Sequence, residues 1–229
     1  MTAAPVIEKI ENAVRAVNHE LDNNSGKNWT GLSEEELFSE LASCIIGSRI
    51  TFEKAKNVSE LLKRNELLTP QGLIEQPRTY EKRIHSILRE QKCLYAKSKA
   101  RYIVSTSISI YSNKHTSIRK ILETANDQYA ARDILVELCL GIGFKQASLF
   151  LRNIHYADDL AILDTHVINY MRLMGLEDDV GQGLTQRMYL SYEDRLRKYS
   201  EKFNTSVAQL DISIWVVMRT ISREFRWML

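Results

Sequence analysis

Two glycines one residue apart, Gly141 and Gly143, separate two stretches whose apolar residues recur with helical spacing. The pattern predicts a tight hairpin between two helices, because glycine lets the backbone turn sharply and leaves its N–H groups open to a ligand. These groups lie at the start of a helix, where the helix dipole favours an anion such as phosphate. Many glycine pairs are only turns, so the pair alone predicts a helix–hairpin–helix unit but does not indicate its function.

The rest of the chain also has the apolar spacing of helices. Its 229 residues include only 3 prolines and 9 glycines, and no segment alternates polar and apolar residues as a half-buried strand does. The expected helices cover residues 6–21, 33–46, 51–64, 80–91, 97–110, 118–125, 129–140, 145–153, 167–174, 185–203 and 207–227. Ser33 and Glu36 form a capping-box pattern, and Thr69–Pro77, with two of the prolines, is expected to be a connecting turn. The sequence therefore predicts an all-α fold.

A lysine and an aspartate follow the hairpin. Lys145 falls in the first turn of a helix, where a cation is mildly disfavoured, so a functional role is a candidate beside that of an ordinary surface lysine. Asp164, nineteen residues on, is the one acid in the apolar run AILDTHV. A carboxylate beside an apolar site stabilises a cation better than one in water. Capping of the next helix explains an aspartate there as well, and both roles stay open.

Together these residues resemble a known family, the helix-hairpin-helix DNA glycosylases that also cleave the DNA backbone. Their motif is L-x-G-h-G-x-K followed by h-D-x-H, and the residues that fall on it are Gly141, Gly143, Lys145, Asp164 and His166. The phrases KARYIV, GFKQAS, DLAILDTHV and DISIW are similar to those of the compact archaeal-type 8-oxoguanine glycosylase/lyase class. The resemblance covers about residues 35–215.

The resemblance implies a two-lobed helix-hairpin-helix glycosylase fold, with lobes at about residues 33–110 and 111–229 and residues 1–32 as an N-terminal extension. It implies that Lys145 attacks C1′ of a damaged nucleotide and forms a Schiff base that leads to β-elimination. Asp164 would stabilise the cationic sugar and help to move protons. His166 has the family position, but it fits a core histidine equally well.

For DNA contact, the resemblance implies that backbone N–H groups of Leu140–Lys145, among them those of Gly141, Ile142 and Gly143, bind a phosphate. A monovalent cation at the hairpin carbonyls is part of the same expectation. Arg49 falls where relatives place the residue that enters the duplex after base extrusion, although a surface arginine at a helix end is the alternative.

Trp215 is the candidate for stacking on the extruded base, with a core tryptophan as the alternative. The chain departs from the family at its end, SREFRWML, so Phe225, Trp227 and the carboxylate of Leu229 are further candidates for lining the base pocket. This departure leaves the identity of the base open. Lys97, Lys99 and Arg101 are more typical of a solvated charged face than of a DNA contact.

Composition excludes several classes. Cys44, Cys93 and Cys139 are unclustered, which predicts neither disulfides nor a metal site, and no cysteine follows Cys139 to build the iron–sulfur loop of some relatives. No apolar run is long enough for a membrane span. Together with the resemblance, which implies action on duplex DNA containing a damaged base with 8-oxoguanine as the leading substrate, this predicts a monomeric cytoplasmic enzyme without catalytic metal or cofactor.

Two alternatives remain: a glycosylase for another modified base, and a non-catalytic helix-hairpin-helix module that only binds DNA. A binding module would not need Lys145 and Asp164. The net charge of +2 permits DNA binding without arguing for it.

Overall fold

The computed structural model of the protein describes residues 4–21, 28–113, 115–177 and 184–224. These ranges contain twelve α-helices, short 3-10 helices at Trp29–Gly31 and Glu201–Phe203, and no strand, which confirms the all-α prediction. The α-helices are α1 (Ala4–Glu20), α2 (Glu34–Ile46), α3 (Phe52–Arg64), α4 (Pro70–Glu75), α5 (Pro77–Glu90), α6 (Ala96–Tyr111), α7 (Ile118–Thr124), α8 (Gln128–Leu138), α9 (Phe144–Asn153), α10 (Thr165–Leu173), α11 (Gln186–Ser200) and α12 (Val207–Glu224).

Local sequence signals set most helix starts. The capping box is present: the Ser33 hydroxyl accepts from the Glu36 N–H, and the Glu36 carboxylate accepts from the Ser33 N–H. The connecting turn expected at Thr69–Pro77 is wrong, because this segment forms α4 and the start of α5. Pro70 and Pro77 stand in the first turns of the two helices, where the missing N–H of proline costs no hydrogen bond.

The chain divides into two compact units. The hairpin unit, Lys27–Tyr156, contains α2 to α9, and the terminal unit, Met1–Gly26 with Ala157–Leu229, contains α1 and α10 to α12. This division differs from the expected lobes of residues 33–110 and 111–229. Helices α7 and α9 pack on α2, and α8 packs on α9, so these three helices belong with α2 rather than with the C-terminal helices.

Within the terminal unit, α1 packs against α12. Val14 of α1 is fully buried. The Asn18 side-chain oxygen accepts hydrogen bonds from the hydroxyls of Ser213 and Thr205, and the Gln209 amide donates to the Asn18 carbonyl. The N-terminal helix is therefore an integral part of this unit.

No helix in the described ranges is both long and apolar enough to cross a membrane.

Candidate functional site

The hairpin between α8 and α9 is anchored from inside the hairpin unit. Gly141 has φ 80, and a Cβ at this position would lie 2.3 Å from the ring of Tyr102 on α6. The Ile142 side chain is buried, and its N–H donates to the carbonyl of Cys139. The Thr106 hydroxyl donates to the Leu140 carbonyl at 3.4 Å. Ile142 thus serves as the apolar anchor of the hairpin, and its N–H is already engaged in the turn.

Gly143, in contrast, is not required by the backbone. Its φ of −108 and ψ of −176 suit any residue, and a Cβ there would meet only the Gln146 side-chain oxygen, at 3.7 Å. Gly143 is exposed and directly precedes α9, whose N-terminus has no side-chain cap. The absence of a side chain at Gly143 therefore leaves open space beside the N-terminus of α9, where a helix favours an anion.

Lys145 lies in the first turn of α9 and is partly exposed. The thiol of Cys44, on α2, is close enough for the positive charge of Lys145 to affect its pKa. Burial and the charge of Glu40 raise the pKa of Cys44 well above its ordinary value, while Arg152 and Lys145 oppose that rise. Cys44 therefore stays protonated, and the accessible nucleophile in this neighbourhood is the Lys145 amine.

A buried arginine that no sequence pattern predicted supports the start of α9. Arg132 of α8 is 1% exposed, its guanidinium lies 4.8 Å from the centre of the Phe144 ring, and it donates to the Ser148 hydroxyl at 3.3 Å. A charged residue in a helix ordinarily indicates a solvated face, so only the packing of α8 on α9 reveals this contact.

Asp164 caps α10. One carboxylate oxygen, Oδ1, accepts from the N–H groups of His166 and Val167 at 2.8 and 3.0 Å, which confirms the capping role. Among the described residues Oδ2 has no hydrogen bond, and the side chain is partly exposed. Capping therefore leaves one carboxylate oxygen available for chemistry. The buried Nδ1 of His166 also has no hydrogen-bond partner in the described ranges, so His166 is not a fully hydrogen-bonded core histidine.

The irregular segment just before Asp164 is held by buried side chains of α11 and α12. The bonds join the Tyr189 hydroxyl to the Ala161 carbonyl at 2.6 Å, the Ala161 N–H to Glu193 at 2.9 Å and the Ile162 N–H to Asp211 at 2.5 Å. These polar side chains satisfy backbone groups that no sheet or helix satisfies. Three residues that the sequence did not single out thus position the segment that carries Asp164.

Arg49 follows the end of α2 in a left-handed conformation with φ 57, and it is exposed. Its guanidinium lies 5.8 Å from the centre of the Tyr95 ring. The prediction that Lys97, Lys99 and Arg101 form a solvated face of α6 is wrong for one of these three residues. Lys97 and Arg101 are exposed, but Lys99 is 1% exposed and donates to the carbonyls of Ile46 and Ser48, at the end of α2.

Trp215 of α12 is partly exposed and is not a core residue. It lines an open depression of about 210 Å³ together with Val216, Arg219 and Thr220, and the Arg219 guanidinium lies 4.6 Å from the centre of its ring. The other three pocket candidates, Phe225, Trp227 and Leu229, fall outside the described residues.

The structure places the hairpin, Lys145 and Arg49 in the hairpin unit, and Asp164 and Trp215 in the terminal unit. In the described part of the chain, no three or more histidine, cysteine, aspartate or glutamate side chains are grouped as a metal site would require.

Comparison with known proteins adds to this geometry. Residues 19–205 match the family model described as 8-oxoguanine DNA glycosylase. The 8-oxoguanine DNA glycosylase/AP lyase of Methanocaldococcus jannaschii is 30% identical over 189 residues, which are 82% of this chain and 83% of that protein. The protein of the same name from Saccharolobus solfataricus is 34% identical over 187 residues, 80% of this chain and 83% of that one.

Among the solved structures that are similar to this chain are the following two. One is the Methanocaldococcus jannaschii 8-oxoguanine glycosylase/lyase in complex with a 15mer DNA containing 8-oxoguanine, with a TM-score of 0.73, 26% identity and coverage of 94% of this chain and 97% of that one. The other is the 8-oxoguanine DNA glycosylase of Thermotoga maritima, with a TM-score of 0.66, 27% identity and coverage of 94% and 89%.

Proposed function

Because the chain belongs to the 8-oxoguanine DNA glycosylase family, we propose that it excises 8-oxoguanine from duplex DNA and then cleaves the abasic strand. The observation that carries the proposal is the position of Lys145 at the start of α9. Lys145 presents a partly exposed amine in the first turn of α9, two residues after a glycine that leaves open space beside an uncapped helix N-terminus. A phosphate bound at that N-terminus brings a nucleotide close to the amine.

Lys145 is the nucleophile of the proposed reaction. Its neutral amine attacks C1′ of the damaged nucleotide, and the electron pair of the breaking glycosidic bond leaves with the base, which takes up a proton. Nitrogen then expels the ring oxygen, giving a protonated Schiff base between Lys145 and C1′. Loss of a proton from C2′ breaks the C3′–O bond, so the 3′ phosphate leaves with the bonding electrons. Both the glycosylase and the lyase activities follow from this one amine.

Asp164 stabilises the positive charge that develops on the sugar and accepts a proton from the attacking amine. Its Oδ1 is fixed by two N–H groups of α10, so the carboxylate is held in place while Oδ2 remains available. A charge fixed in advance needs little reorganisation in the transition state, which is why such groups contribute strongly to rate.

The hairpin positions the DNA without reading its sequence. The N-terminus of α9 and the space beside Gly143 take the phosphate, while Gly141 and Ile142 maintain the turn. The carbonyls of Cys139 and Leu140 each accept one internal bond, from Ile142 and Thr106. Since a carbonyl oxygen has two lone pairs, these groups also fit the monovalent cation expected there.

Arg49 and Trp215 act on the duplex and on the base. Arg49, exposed at the end of α2, fills the gap left by the extruded base and so offsets part of the cost of extrusion, roughly a few kcal/mol. Trp215 offers a partly exposed ring on which an extruded base can stack, worth about 1–3 kcal/mol. The Trp215→Ala enzyme is therefore expected to lose discrimination between damaged and undamaged bases.

The test is a panel of duplexes, each with one modified base, incubated with the enzyme and borohydride. Borohydride reduces the Schiff base to a stable covalent adduct. We expect the adduct to form fastest with 8-oxoguanine. Faster trapping with another modified base would show that this base, and not 8-oxoguanine, is the preferred substrate. An absence of trapping on every duplex, including an abasic one, would show that the protein is only a DNA-binding module.

A further inference from the structure

Lys99 is the one buried lysine among the described residues of the hairpin unit. It is 1% exposed, and its ammonium donates to the carbonyls of Ile46 at 2.8 Å and Ser48 at 2.7 Å. Burial lowers the pKa of Lys99, an effect that Cys93 opposes and Lys54 reinforces. Burial of an ammonium group costs free energy unless it is well bonded, so this position is expected to serve a purpose.

The two carbonyls that Lys99 binds flank Gly47 at the end of α2, where the helical hydrogen bonds run out. The next residue is Arg49, whose left-handed φ of 57 is uncommon for a residue with a side chain. Without a bonded cation, the chain from Ile46 to Arg49 would have to satisfy these carbonyls with water, which permits several conformations of the turn. Lys99 thus fixes the backbone from which the Arg49 side chain extends.

A second contact comes from the same end of α6. Tyr95, the residue before α6, lies one turn before Lys99, and its ring is 5.8 Å from the Arg49 guanidinium. The Lys99 N–H donates to the Tyr95 carbonyl at 2.9 Å, so the two contacts are joined by the helix itself. Lys99 in the first turn of α6 therefore holds the backbone before Arg49, and Tyr95, just before that turn, lies beside the Arg49 guanidinium.

From these contacts we infer that Lys99 is a positioning residue for base extrusion, which acts by holding the Arg49 turn ready to enter the duplex. The inference rests on the gap-filling role proposed for Arg49. It predicts that loss of Lys99 slows excision of a paired base more than cleavage of an abasic site, because an abasic site has no base to unstack.

The experiment is a double-mutant cycle. Lys99→Met, Arg49→Ala and the double mutant are compared under single-turnover conditions on a duplex with 8-oxoguanine opposite cytosine and on a preformed abasic duplex. Lys97→Met is the matched control, because it removes an exposed cation from the same helix and so lowers the general electrostatic attraction to DNA similarly. Melting temperatures of all four variants report on folding.

Lys99→Met and Arg49→Ala are each expected to slow excision about tenfold, because each removes only part of what offsets the cost of base extrusion. Cleavage of the abasic duplex is expected to change less than about threefold. The double mutant is expected to be no slower than Arg49→Ala, since residues that act as one unit are not additive. Lys97→Met should excise at the wild-type rate.

Each other outcome is decisive. A wild-type rate for Arg49→Ala overturns the gap-filling role, and with it the inference. A slow Arg49→Ala with a wild-type Lys99→Met overturns the inference alone. Additive losses in the double mutant, or equal losses on both duplexes, show that Lys99 does not act through Arg49. If Lys99→Met does not fold, Lys99→Arg takes its place in the cycle, since a forked guanidinium cannot reproduce the bonds of a compact ammonium.

Discussion

The Tyr189 hydroxyl donates to the carbonyl of Ala161 at 2.6 Å, three residues before Asp164. Because this bond fixes the segment that leads to the proposed catalytic carboxylate, Tyr189→Phe should leave a buried carbonyl unsatisfied and destabilise the protein by about 1–3 kcal/mol. It should also slow excision. Tyr199→Phe, on the same helix, is the matched control, since it removes a buried bond to Tyr170 instead.

Both variants should show a similar loss of unfolding free energy by denaturant titration. Only Tyr189→Phe should also lower the single-turnover rate at a temperature where both are fully folded. Equal rates for the two variants would mean that Tyr189 serves stability and not the placement of Asp164.

The two hairpin glycines should respond differently to alanine. Gly141→Ala puts a side chain at φ 80 and against the Tyr102 ring, so it should destabilise the protein by about 1–2 kcal/mol from the backbone alone, with the collision adding to this. Gly143→Ala meets nothing closer than 3.7 Å, so stability should fall by less than about 1 kcal/mol, the penalty for replacing an N-cap glycine by alanine. Its methyl group should instead weaken binding to an abasic-site duplex about tenfold, roughly one charge-assisted hydrogen bond.

Melting temperature and duplex affinity of the two variants separate these effects. If Gly143→Ala binds as tightly as wild type, the phosphate does not approach at that position.

The N-terminal helix should contribute to stability although it lies almost wholly before the family match, which begins at residue 19. Val14→Ala removes two methyl groups from a fully buried side chain, at about 0.8 kcal/mol each, and leaves a cavity, so we expect a loss of about 2 kcal/mol. Val6→Ala, at a position 42% exposed on the same helix, is the control and should cost less than about 0.5 kcal/mol. Equal losses in chemical denaturation would contradict the packing of α1 on α12.

Local signals in the sequence predicted much of this structure. The capping box, the glycine hairpin and the place of Lys145 in a first turn each depend on residues a few positions apart, and each is present. The signals that failed are those that depend on distant partners. Lys99 is buried because its partner Ser48 lies 51 residues away, and the Tyr189 bond spans 28 residues. Periodicity cannot reveal such pairs, because it depends only on residues a few positions apart in the chain.

Asp164 has two roles that substitution can separate. Asp164→Asn keeps a side-chain oxygen to cap α10 but loses the charge, so stability should hold while excision falls about 10²–10³-fold, the cost of removing one preorganised electrostatic group. Asp164→Ala should lose a similar rate and also about 1 kcal/mol of stability with the cap. Single-turnover rates and melting curves measure the two effects. An Asp164→Asn enzyme within about threefold of wild type would reduce Asp164 to a helix cap.

The Lys145 amine is proposed to form the covalent intermediate, which borohydride reduces to a stable adduct. The decisive measurement is borohydride trapping of Lys145→Gln on a duplex containing 8-oxoguanine, with Lys97→Gln as the control for loss of a positive charge. We expect Lys145→Gln to bind the duplex and form no adduct, while Lys97→Gln is trapped like wild type. A covalent adduct with Lys145→Gln would show that another amine is the nucleophile and would overturn the proposed mechanism.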